Sequence, residues 1–127
     1  MVEDHQVVRL SVPALSRYVR LARLTAASVG NDAGFDIDGV EDLRIAVDEL
    51  FALLVEGAED AEAVVELVFG MDGGDVTVEG TRSGATPVHG PEHLAQEILK
   101  VVVDEHSFEH DGTARRFRLR KKVAVAG

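Results

Sequence analysis

Apolar and polar residues alternate along "HQVVRLSVP" (5–13), which predicts a strand ended by Pro13. The period then changes. In "ALSRYVRLARLTAASVG" (14–30), Leu15, Val19, Ala22, Ala26 and Val29 recur at helical spacing, with Gly30-Asn31 as the expected C-cap. After the loop "NDAGFDID", Asp38 and Glu41 stand in a capping-box relation. Val40, Leu43, Val47, Leu50 and Leu54 form the apolar stripe of a second helix that runs to about Glu56. Two strand-like runs follow, 61–71 and 75–82, joined by the hairpin signal "DGG". "PEHLAQEILKVVVDE" predicts a third helix with Pro91 in its first turn. "HSFEH", the turn "DG" at 111–112 and "TARRFRLRKKVAV" predict a closing hairpin. The order β-α-α-β-β-α-β-β describes a single domain over residues 1–127. It is an α+β two-layer sandwich, a mixed sheet with its helices on one face.

Charge sharpens this picture more than bulk composition does. The net charge is −10, and between Asp32 and Glu79 fifteen Asp or Glu face the single Arg44. Basic residues gather elsewhere, at Arg17, Arg20 and Arg23 and in "RRFRLRKK" (115–122). An acidic central block would repel DNA or RNA and suits a basic protein partner, unless it is simply a solvated surface. With no cysteine, disulfides, thiol chemistry and thiolate metal sites are excluded. The longest apolar run, "LFALLV", has six residues, against about 20 for a membrane span. The acidic, polar start "MVEDHQVV" is unlike a signal peptide, so a cytoplasmic protein is expected.

Few residues carry chemistry. "HGPEH" (89–93) matches a zinc-peptidase pattern, but Gly90-Pro91 separates the histidines, which must share one helix to converge on a metal. His106 and His110 fall on one face of a strand with no carboxylate cluster, and surface positions are expected for them. Gly73-Gly74 and Gly84 open no helix in a phosphate-cradling pattern and read as turn residues. No metal site and no serine nucleophile emerges.

The stretch "LARLTAASVG…FDIDGVEDLRIAVDELFALLVEGA" resembles the N-terminal half of the anti-sigma factor serine kinases of the RsbW/SpoIIAB type. "AQEILKVVVDEHSFEHDGTARRFRLRKKV" is similar to the end of that fold. The resemblance implies the histidine-kinase-like (GHKL) ATPase fold. In that family the ATP helix carries a Glu, matched here by Glu49, and four residues later an Asn that coordinates Mg²⁺, where this chain has Leu53. A leucine offers no oxygen to a hard cation. The family's adenine-binding Asp-x-Gly-x-Gly box aligns with Arg82, Gly84 and Thr86, which sets a donor against a donor. Its long lid and second glycine turn are reduced to "ATPVHGPEH", where Gly90 alone is no phosphate cradle.

The resemblance therefore implies a degenerate member: Glu49 vestigial, no catalytic residue, no cofactor, no metal, and Leu53 filling the vacated site. The implied function is that of a nucleotide-independent anti-sigma factor. It would sequester an alternative sigma factor and release it to a STAS-domain anti-anti-sigma factor, as a homodimer joined near the first strand. Partner binding is assigned to the first helix, where Arg17, Arg20 and Arg23 recur at i, i+3 and i+6 on a solvent-facing side. Arg23 aligns with a family arginine that contacts both partners, while Val19 stands where the sporulation member has an acidic partner-binding residue. Two other readings remain, an active serine kinase with an unconventional pocket and a scaffold module with unrelated partners.

Overall fold

Alternation becomes burial in the strands. In β2 (Val64–Asp72) Val65, Leu67, Phe69 and Met71 are buried, and in β3 (Asp75–Ser83) Val76 and Val78. The computed structural model describes residues 5–57, 63–83, 90–111 and 113–123. Gly84, Thr86, His89 and Gly112 of the sequence reading lie outside them. The remaining elements are β1 (His5–Pro13), a 3-10 turn (Ser16–Tyr18), α1 (Val19–Asp32), α2 (Ile37–Val55), α3 (His93–Val102), β4 (Glu105–His110) and β5 (Ala114–Lys121). The five strands form one sheet in the order β1-β2-β3-β5-β4. Val65, Leu67, Phe69, Val78, Phe117 and Leu119 bury one of its faces in a single core with Leu43, Val47 and Leu50 of α2. The other face carries Glu66, Glu79, Thr81, Arg116 and Arg118, all exposed.

Every pairing in the sheet is antiparallel, where a mixed sheet was expected. The cause is topological. Two helices between β1 and β2 bring the chain back reversed, and β5 inserts between β3 and β4, which α3 connects. The strands that one helix would set parallel never touch.

The helix boundaries move by a few residues, each for a local reason. The segment expected to be helical from residue 14 starts with the 3-10 turn, and α1 proper runs past Gly30. Gly30 lies inside the helix because a Cβ there would sit 3.3 Å from the Phe35 ring and 3.4 Å from Leu43. Past the C-cap Ala33 the chain turns out of the helix at Gly34, whose φ of 95° suits glycine. Phe35 N–H donates to Gly30 O (3.0 Å) and Gly34 N–H to Asn31 O (3.1 Å), the Schellman pattern. The N-cap of α2 is Asp36 rather than Asp38, its carboxylate accepting from Gly39 N–H at 2.7 Å. The third helix begins at His93 with Glu92 as its N-cap, which leaves Pro91 before it.

Asp111 follows β4, and its Oδ1 accepts from Thr113 N–H (2.7 Å), Thr113 Oγ1–H (2.6 Å) and Ala114 N–H (2.9 Å). These hydrogen bonds, the Thr113 hydroxyl first, hold its pKa down at about 2 from 3.8. A folded-state pKa depressed this way stabilises the fold above the ordinary carboxylate value, and the contribution is lost as pH falls through about 2. Asp111→Ala is expected to lower the urea midpoint at neutral pH. Its difference from wild type should narrow as pH falls from 3.8 towards 2. A constant difference across that range would assign the effect to the turn's geometry rather than its charge.

Candidate functional site

The outer side of α2 and the facing side of α3 enclose a groove of about 620 Å³. Glu49 and Leu53 project into it from successive turns of α2, both half-buried, and Leu94 and Ile98 form the opposite wall. Leu53 was expected to close the space, and it does not. The α3 helix buries only Leu99 and Val102, so its first turn stands off from α2 and leaves Leu94 72% exposed.

The charge of the groove is one-sided. Asp48, Glu49, Glu56 and Glu92 line it, and no Lys, Arg or His does so among the described residues. Among the described residues Asp48 alone of these has an ion-pair partner, Arg23, whose Nη2 lies 2.6 Å and Nε 3.1 Å from Asp48 Oδ1.

Beneath the C-terminal end of α2 lie two buried arginines, Arg82 of β3 and Arg115 of β5, direct cross-strand partners. Arg115 Nη1 donates to the carbonyls of Glu56 (2.7 Å), Leu53 (3.0 Å) and Leu54 (3.3 Å). A helix leaves its last carbonyls without partners and gathers negative potential there, so a cation satisfies both needs. Arg82 Nη1 also donates to Leu54 O (3.2 Å), while its buried Nε has no hydrogen-bond partner among the described residues. Burial pushes the Arg115 guanidinium below its ordinary pKa, Arg82 adds to this, and Glu56 opposes it. The residue aligned with an adenine acceptor is thus directed at the end of α2 and does not line the groove.

The three arginines assigned to partner binding do not act alike. Arg17 belongs to the 3-10 turn and sits over the Tyr18 ring, 5.2 Å from its centroid. Arg20 is exposed on α1, where Leu21 and Leu24 are 43% and 67% exposed. Arg23 is turned towards α2 by its bond to Asp48, so it leaves the exposed side that Arg17 and Arg20 keep. His106 and Phe108 are half-buried on β4, and His110 is exposed with its ring centroid 6.1 Å from that of Phe108. Among the described residues no group of three or more His, Cys, Asp or Glu could hold a metal ion.

An antiparallel five-stranded sheet covered by helices on one face, with a groove beside its long second helix, defines an α+β sandwich of the histidine-kinase-like kind. In overall fold the chain matches a crystal structure of the RsbU and RsbW domains of a Mycobacterium tuberculosis protein. The TM-score is 0.67 at 17% identity, over 92% of this chain and 32% of that one. The serine-protein kinase RsbW of Bacillus cereus (strain AH187) is 35% identical over 72 residues, 56% of this chain and 45% of the relative. The RsbW of Bacillus cereus (strain G9842) is 28% identical over 131 residues, 87% of this chain and 82% of the relative. The chain thus spans less than half the length of the first of these relatives. No family model matches it. The chain is thus similar in sequence to the serine-protein kinases RsbW, and in fold to a structure of RsbU and RsbW domains.

Proposed function

We propose that this protein is a cytoplasmic anti-sigma factor that works without nucleotide, binding an alternative sigma factor and yielding it to a STAS-domain antagonist. One observation supports the reading: the groove beside Glu49 has Leu53 where the resemblance places a metal ligand, and it is lined by Glu49, Glu56 and Glu92 with no Lys, Arg or His among the described residues. Phosphate groups are held by N–H donors and cations, and Mg²⁺ by oxygen ligands. This donor set does not fit a magnesium nucleotide. Phosphorylation of the antagonist then falls to another enzyme. The α1 surface of Arg17, Arg20, Leu21 and Leu24 supports a protein-binding role, with Arg23 contributing only after it leaves Asp48. A homodimer through β1 is part of the reading, because β1 is an edge strand with Val7 and Val8 exposed. Among the described residues no helix is long and apolar enough to cross a membrane.

The surviving groove favours one competing reading, an active serine kinase with an unconventional pocket. Calorimetry separates the two. With millimolar Mg–ATP or Mg–ADP no saturable heat is expected, and a Kd below about 100 μM, roughly −5.5 kcal/mol, would restore the kinase. Affinity capture from the native host, read by mass spectrometry, is expected to recover a sigma factor and a STAS protein. Recovery of neither overturns the anti-sigma reading.

A further inference from the structure

We propose that the groove between α2 and α3 is a docking site for a basic amphipathic helical segment of a protein partner, separate from the α1 surface. Its walls are apolar at Leu53, Leu94 and Ile98, and its charged residues are Glu49, Glu56 and Glu92 together with the paired Asp48. Glu49 and Glu92 form no ion pair among the described residues, so their full charge is available to an incoming cation. An apolar occupant would cover exposed Leu94, and lysines or arginines flanking its apolar side would meet the carboxylates. Helix-in-groove recognition has this form, with apolar anchors at i, i+3, i+4 and i+7. Complementary charge selects the partner and speeds encounter, and the net charge of −10 extends the attraction beyond the groove. An acidic segment or a free phosphate would meet the like charge of Glu49, Glu56 and Glu92. A small metal ion or a bare polyamine would leave the leucine walls uncovered.

The test uses the whole chain and a fluorescein-labelled helical peptide of roughly 14 residues, leucines at i, i+3, i+4 and i+7 and lysines elsewhere. The same peptide with glutamates for lysines is the counterpart. Fluorescence anisotropy is expected to detect saturable binding of the lysine peptide alone. Glu49→Gln with Glu92→Gln should weaken it about tenfold, and Leu94→Ser should do so without changing net charge. Glu66→Gln with Glu109→Gln removes the same charge from the open face of the sheet, where both residues are exposed, and should leave binding unchanged. Equal losses from the two double variants would assign the binding to overall acidity and overturn the proposal, as would no binding or no loss in the groove variants. Displacement of the peptide by micromolar spermine would also overturn it, in favour of a small polycation. The peptide reads the groove without any sigma factor present, so its outcome is independent of the anti-sigma reading.

Discussion

Arg115→Ala is expected to lower the free energy of unfolding by about 3–5 kcal/mol, the loss usual when one partner of a buried charged network is removed. Three carbonyls at the end of α2 would lose their donor. Those of Leu53 and Glu56 would be left unsatisfied where water replaces the guanidinium poorly, since Arg115 is only 2% exposed, and Leu54 O would keep only its bond from Arg82. Arg82→Met should behave very differently and cost about 1 kcal/mol or less. It removes one hydrogen bond of 3.2 Å and a buried Nε without a partner among the described residues, and relieves the repulsion between neighbouring guanidinium groups. Urea denaturation of both variants checks the contrast. Equal losses would mean that the two arginines act as one unit, and that Arg115 is not the principal cap of α2.

The second large effect is expected on the α1 surface. Arg20→Ala combined with Leu24→Ala should weaken the proposed complex with a sigma factor by at least about tenfold, while the melting temperature stays at the wild-type value. Both side chains are exposed, so their loss should cost the fold little. Arg23→Ala serves as the internal comparison. It breaks the bond to Asp48, with the two side chains 37% and 42% exposed, and should cost about 1 kcal/mol or less of stability. Surface plasmon resonance reads the affinities. If the double variant binds within twofold of wild type, α1 is not the binding surface.

The stripe of α2 was legible because five apolar residues at helical spacing leave one way to bury them, and Leu43, Val47, Leu50 and Leu54 are buried. The cap was read two residues late. "DID" offers two aspartates at this start, and only the fold decides which one meets a free N–H. The antiparallel sheet was not legible, because spacing along a chain does not say that the last strand inserts between two earlier ones. In the site, Glu49 and Leu53 could be placed because both lie on one helix face. The role of Arg115 was missed, although a signal existed. In "ARRFRLRK" the residues that alternate with exposed arginines are Arg115, Phe117 and Leu119, which sets one arginine on the apolar face. A buried cation implies a buried cluster of acceptors, and the end of α2 supplies it.

The central place of β5 also governs the order of assembly. Within the sheet β4 bonds to β5 alone, and the free edge of β3 is completed by β5. A chain cut after residue 110 holds β1, the β2–β3 hairpin and the helices, but it has no seat for β4. The apolar side of β3, with Val76 and Val78, stays uncovered at that edge until residues 114–121 arrive. Cooperative closure of the sheet therefore waits for β5 and depends on pairing between residues far apart in the chain. The strand that joins β3 to β4 is thus the keystone of the sheet.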